Sequence, residues 1–223
     1  MKIGMFAAIA AAGTVLSVGS AAFAGPVLTY RFDRLNGGYS GNSGGGTFSA
    51  IADNSPGLRT QGSVTRVDTA QTASYAQGFY NPLASADYRL ILNVFGIGTN
   101  TAFGNGAFTV TDAQGDTITG SVSGSFFTPG FGVLYFNGVI NTVTTTNASG
   151  DNTFDGPSGG SFAMNTLPAG LSGALVELTL GIPNFFSSTW ANNSSQVTAQ
   201  LIPTPGAAVL LGLAGLVAGR RRR

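Results

Sequence analysis

The chain of 223 residues contains no histidine, no cysteine and a single lysine, Lys2. Charged residues make up only 9%, against about 25% in ordinary soluble domains. Each shortage excludes a class of chemistry. Zinc sites of the common His/Cys kinds are ruled out. So are Ser-His-Asp and Cys-His nucleophile systems and any disulfide framework. With Lys2 near the N-terminus as the one lysine, Schiff-base chemistry and Lys–Asn isopeptide cross-links are excluded from the rest of the chain. Glycine, by contrast, is abundant: 34 residues, roughly double the usual share. Sixteen Phe, six Tyr and one Trp supply the aromatic content.

The two ends carry distinct signals. At the N-terminus, Lys2 and the α-amino group form a short positive region, and Ile3 to Ser17 is almost all apolar or Gly. Ala22-Phe23-Ala24 then places small residues at the −3 and −1 positions of a cleavage site. Residues 1–24 are therefore expected to be a signal peptide, cleaved between Ala24 and Gly25. At the C-terminus, Ile202-Pro203-Thr204-Pro205-Gly206-Ala207 leads into an apolar run that ends at Gly219, and Arg220, Arg221, Arg222 and Arg223 close the chain. As a helix, Gly206–Gly219 would span about 21 Å, short of a hydrocarbon core of roughly 30 Å. Counting from Ile202, and letting the arginines snorkel, gives a marginal span suited to a temporary anchor. The Arg cluster would stay cytoplasmic by the positive-inside rule. The export signal puts the bulk of the chain outside, so the two topologies agree.

This order of Pro-x-Pro, short apolar helix and terminal Arg cluster, over residues 202–223, resembles the PEP-CTERM sorting signal of Gram-negative and related bacteria. The resemblance implies export, transient anchoring in the inner membrane, processing at the Pro-rich motif by an exosortase-like membrane protease, and release to the cell surface or extracellular matrix. Such proteins often occur in exopolysaccharide-producing organisms. Thr204 stands where that family usually has Glu. The resemblance covers about a tenth of the chain and does not extend to the central region.

Residues 25–201 fit a single domain. Its cations are Arg31, Arg34, Arg59, Arg66 and Arg89, set against nine acids, for a net charge of −4. An acidic, arginine-poor domain is a poor nucleic-acid binder. The patterning is β throughout. Leu28, Tyr30 and Phe32 alternate on one face of the first strand, and about ten further short runs follow. Asn137-Gly138, between Leu134-Tyr135-Phe136 and Val139-Ile140, reads as a hairpin turn. The Gly-rich stretch Gly37–Gly46 reads as a mobile loop. The expected fold is all-β: a single β-sandwich or jelly-roll domain, with an N-terminal signal helix and a C-terminal hydrophobic helix. Short acidic or Gly-rich hairpins and irregular strands argue against an outer-membrane barrel.

The domain offers few chemical candidates. Two carboxylates suffice for a glycosidase, but no Asp lies in a recognisable catalytic motif. The one Glu, Glu177, sits in Val176-Glu177-Leu178-Thr179-Leu180, where alternation puts Glu177 and Thr179 on a solvated face. Asn147, Asp151 and Asp155 place oxygens on alternate residues as calcium loops do, though Asx turns account for the same residues without metal. No other cofactor is indicated. Trp190, Tyr75 and Tyr80 lie in polar stretches and are candidates for stacking on sugar rings, the alternative for Trp190 being a core plug. Asn147, Asn192 and Asn193 begin N-x-S sequons. The composition points to a non-enzymatic, exported surface or matrix protein with a structural or adhesive role, associated with exopolysaccharide. The alternatives are a carbohydrate-binding module and a secreted glycan hydrolase using two carboxylates.

Overall fold

The computed structural model describes residues 25–76, 79 and 86–204. Among them there is no helix, and the chain forms twelve strands: β1 (Leu28–Asn42), β2 (Gly45–Ile51), β3 (Gln61–Arg66), β4 (Gln71–Tyr75), β5 (Asp87–Phe95) and β6 (Thr101–Thr111), then β7 (Thr117–Gly130), β8 (Val133–Thr146), β9 (Thr153–Asp155), β10 (Ser161–Ala163), β11 (Leu171–Leu180) and β12 (Ser188–Pro203). Both sequence-expected terminal helices lie outside the described residues.

The expected sandwich is not what forms. The first and last long strands pair with each other, Leu28 opposite Leu201 and Asn42 opposite Ser188. That pairing joins the ends of the run β1-β2-β5-β6-β7-β8-β11-β12, all antiparallel, into a closed eight-stranded barrel. Closure leaves those strands no free edge and so satisfies backbone groups that a sandwich must protect at four edges. A sandwich and a barrel share the same two-residue alternation along each strand. What separates them is a pairing between residues 146 to 173 positions apart, which no local pattern encodes. Strand β3 pairs with the first half of β1, where β2 does not reach, and carries β4 with it as a flap.

Eight strands enclose an interior just wide enough for side chains to fill. Two aromatic clusters fill it. One joins Tyr30, Phe32, Tyr75, Phe79, Tyr88 and Phe108, with ring centroids 4.7–6.1 Å apart. The other joins Tyr39, Phe48, Phe126, Phe136, Phe186 and Trp190. Some of these rings fit because the neighbouring strand presents no side chain at the paired position, as Gly120 does beside Phe108. A Cβ on Gly120 would lie 2.3 Å from Cε1 of Phe108, so the glycine leaves room for the ring. On β7 the inward row is Ile118, Gly120, Val122 and Phe126, and the outward row is Thr119, Ser121, Ser123 and Ser125. A transmembrane barrel has the reverse arrangement, with its apolar band facing lipid.

Several local expectations change accordingly. Asn137-Gly138 is not a turn but lies inside β8, because the predicted pair of short strands is one strand of 14 residues. Gly138 faces inward, where a Cβ would come 2.6 Å from Phe136. The true β7–β8 turn is at Phe131-Gly132, with both residues at positive φ. The stretch Gly37–Gly46 is a hairpin with a two-residue connection, not a loop. Its strands pair residue for residue from Asn36–Ile51 to Asn42–Gly45.

At one pole of the barrel are the chain's two exits, β3–β4 and β9–β10. Arg66, almost fully buried, ties these extensions together. It donates to the carbonyls of Ala163 and Thr166 at 2.8 and 3.0 Å, to the Thr166 hydroxyl and to Asp68. The opposite pole holds four connections, including Gly181–Ser187, from which Phe186 plugs the interior.

The close approach of Gly120 to Phe108 yields a direct expectation. Gly120→Ala should destabilise the barrel by about 1–3 kcal/mol through overpacking. Phe108→Leu in the same chain should recover part of that loss. Urea midpoints of the two variants measure it, and an unchanged midpoint for Gly120→Ala would show that the interior is looser than described.

Candidate functional site

The most unusual group in the barrel is a carboxylic acid sealed in its interior. Glu177 on β11 pairs in register with Phe136 on β8 and Val197 on β12, and it has no exposed surface. The sequence expectation had the phase of β11 reversed. Glu177 and Thr179 point inward, and Val176 and Leu180 point outward with about half their surface exposed. The hydroxyls of Thr179 and Ser195 both donate to Oε1 of Glu177. Its Oε2 has no hydrogen-bond partner among the described residues. Burial pushes the Glu177 carboxyl up from 4.5 to about 7, with the Ser195 and Thr179 hydroxyls holding it back. Burial also raises the phenol of Tyr88, and the Glu177 charge adds to that effect. An acid with no route to solvent can bear on the barrel's stability but does not reach a substrate in this arrangement.

A second acidic group sits at the pole where the chain enters and leaves. Asp112 and Asp116 flank the β6–β7 turn and are fully buried. Oδ1 of Asp112 accepts the backbone N–H of Gln114 and of Asp116, each at 2.8 Å, and its Oδ2 accepts that of Asp155 at 2.8 Å. Burial nonetheless pushes the Asp112 carboxyl above its usual range. Asp116 accepts from the backbone N–H and the hydroxyl of Ser149, at 2.8 and 2.9 Å. These carboxylates thus clasp the 147–155 segment to the barrel mouth.

The calcium candidates lie in that segment and are engaged in turns. Oδ1 of Asn147 accepts the N–H of Gly150 and of Asn152, both at 3.1 Å. Oδ1 of Asp151 accepts the N–H of Thr153 at 2.8 Å. Asp155 accepts from the Gln114 amide at 3.0 Å, and burial with the charges of Asp151 and Asp112 raises its carboxyl. Among the described residues no group of three or more acids converges as a metal would require.

The aromatic candidates are placed differently from what an open sugar platform needs. Trp190 is in β12, buried against Tyr39, Phe48 and Phe186. Tyr75 is buried between Phe32 and Phe79 and donates its hydroxyl to the Thr111 carbonyl at 3.1 Å. Neither ring offers a face to solvent. Tyr80 lies outside the described residues, as do Ala22, Ala24, Pro205, Gly206 and Arg220 to Arg223. Of the terminal motifs, Gly25 is exposed, Pro203 ends β12 opposite Leu171, and Thr204 donates its N–H to the Gly170 carbonyl at 2.7 Å.

The outer wall carries a feature that only the strand order makes visible. Strands β6, β7, β8 and β12 contain no charged residue, and the one charge on β11 is the inward Glu177. These five strands are contiguous around the barrel. Among the described residues, the charges gather on β1–β5 with their connections and at the entry pole. Part of the signal was available in the sequence: between Arg89 and the C-terminal Arg cluster there is no basic residue. Exposed apolar side chains interrupt the neutral wall at Phe103, Val139, Val176 and Leu180, and Phe95 borders it on β5.

No protein-family model matches the chain, and no curated protein or solved structure matches it.

Two expectations follow from the buried acids. The folded barrel holds a proton on Glu177 that the unfolded chain gives up near pH 4.5, so folded-state stability falls as pH rises from about 4.5 to about 7. The loss is about 3 kcal/mol. Glu177→Gln should remove its share of the slope, leaving that due to Asp87, whose carboxyl burial raises to about 6, and to Asp112 and Asp155, which burial also raises. Urea titrations at pH 4, 6 and 8 report it, and equal slopes in both proteins would refute the assignment. Asp116→Ala should free Ser149 from the mouth, cost about 1–3 kcal/mol and speed proteolytic nicking near 147–152.

Proposed function

We propose that this chain is an exported, non-enzymatic protein of the cell surface or extracellular matrix, with a structural or adhesive role. The observation that carries this reading is the distribution of charge around a filled, closed barrel. The interior is occupied by its own aromatic side chains, so contact with partners falls to the exterior, and five contiguous strands of that exterior are uncharged. A neutral, hydroxyl-rich wall suits prolonged contact with uncharged partners more than steering of charged ones.

The placement of the two exits supports the same reading. Val27 donates its N–H to the Leu201 carbonyl at 2.8 Å, so the residues that follow the expected signal peptide and those that precede the expected sorting helix leave side by side. With both segments in a membrane, the barrel would stand with that pole toward the lipid and its far pole outward. β12 runs through Pro203, so the Pro203-Thr204-Pro205 motif begins where the barrel ends. An exosortase-like protease acting there would release the whole barrel with no trailing segment.

Mass spectrometry of the protein recovered from the native cell surface tests this. The expected mature chain begins at Gly25 and ends between Pro203 and Gly206. Surface material that retains Arg223 would overturn the sorting reading.

A further inference from the structure

The neutral wall contains a shallow trough with a distinct chemistry. Its floor is β7, whose outward residues Ser121, Ser123 and Ser125 are small and exposed. On one side β6 raises Phe103 beside Ser125 and Asn105 beside Ser123. Phe95 of β5 stands next to Phe103 in register. The two rings are 41% and 54% exposed, with centroids 5.9 Å apart and planes inclined by 31°. They form one wall of the depression, over the serine hydroxyls. Asn141 donates to Oγ of Ser123 at 3.1 Å, which leaves that hydroxyl proton free to donate outward.

We propose that this trough binds a strand of neutral polysaccharide, with Phe95 and Phe103 against the C–H faces of the sugar rings. Asn105, Ser123 and Ser125 exchange hydrogen bonds with sugar hydroxyls. Three observations select this occupant. The residues lining the trough carry no charge, nor do β6 and β7, and the nearest charge along β5 is Arg89, six residues from Phe95, which disfavours nucleic acids, anionic lipids and charged peptides. The floor is polar, so a purely apolar partner would bury hydroxyls without replacing their hydrogen bonds. The wall is aromatic and accessible, and a polyhydroxylated chain with apolar ring faces satisfies both surfaces at once. The site differs from Trp190 and Tyr75, which are buried. It rests on the reading of the chain as an adhesive protein, whose partner class it names.

Native affinity electrophoresis of the full chain in mild detergent provides the test. The gels contain hydroxyethylcellulose, dextran, galactomannan or the polyanion alginate. Retardation by at least one neutral polymer is expected, with the dissociation constant weakened at least tenfold by Phe103→Ala and severalfold by Asn105→Ala. Phe131→Ala, at a fully exposed position on the β7–β8 turn that does not line the trough, should leave it unchanged. Both trough side chains are solvent-facing, so the thermal midpoints of the variants should match the parent. Absence of retardation by all three neutral polymers would overturn the proposal. So would retardation that survives Phe103→Ala, or retardation by alginate alone. Self-association that Phe103→Ala abolishes, seen by sedimentation without polysaccharide, would assign the trough to a second copy of the chain. Release of reducing sugar from a retarding polymer would instead overturn the non-enzymatic reading and leave the trough standing.

Discussion

The seam between β1 and β12 is the constraint on which the rest depends. These strands of 15 and 16 residues hold the barrel shut along their length, from Leu28–Leu201 to Asn42–Ser188. Each also changes phase once. In β1 the inward residues pass from Tyr30 and Phe32 to Leu35 and Tyr39 across Arg34, which sits at φ 59°. In β12 they pass from Trp190 to Ser195 and Val197 across Asn192, at φ 61°. Bulges of this kind bend a strand and raise its twist, as closing a sheet into a narrow barrel requires. They also let one strand serve both aromatic clusters.

Sealing the seam explains why Glu177 behaves as it does. In an open sheet an inward carboxylate could recruit water. Inside a closed barrel its hydrogen-bond donors among the described residues are Thr179 and Ser195, and burial shifts the carboxyl toward its neutral form. Two serine and threonine hydroxyls around one acid make a core that is not uniformly oily. Such a group costs stability relative to a hydrocarbon isostere and defines the register of β11 between its neighbours.

Much of the fold was legible in the sequence, and its failures have specific causes. The alternation of Leu28, Tyr30 and Phe32, of Tyr88, Leu90 and Leu92, and of Ile118 and Val122 marks real inward rows. Strand identity was therefore accessible. Closure was not, because it is set by chain ends that are distant in sequence. The phase of β11 was misread because its outward face holds Val176, Leu178 and Leu180, more apolar than its inward Glu177 and Thr179. That inversion is itself informative: a strand with its better hydrophobes outside marks an exposed surface with work to do. The glycines misled in the same way. Gly37–Gly46 and Asn137-Gly138 satisfy turn statistics, yet all but Ser43 and Gly44 of these positions lie in strands, where an interior crowded with rings leaves no room for a Cβ at Gly138. For the trough, Phe95 and Phe103 gave no sign of their role, since only barrel register sets Phe103 beside Ser125 and Phe95 beside Phe103.

The seam has one more consequence, which concerns time. Leu28 is among the first residues of the barrel to be made and Leu201 among the last, and neither β1 nor the wall it completes can be finished alone. A fold dominated by such distant pairings is slow to form. Until β12 emerges, the inward faces of β1 and β11 are bare, including Tyr30, Phe32 and the acid at position 177. The chain therefore crosses its whole synthesis with an open edge that invites pairing with other chains. A segment that delays the last strand's release would hold that edge next to its own partner, since the entrance and exit of the barrel are neighbours.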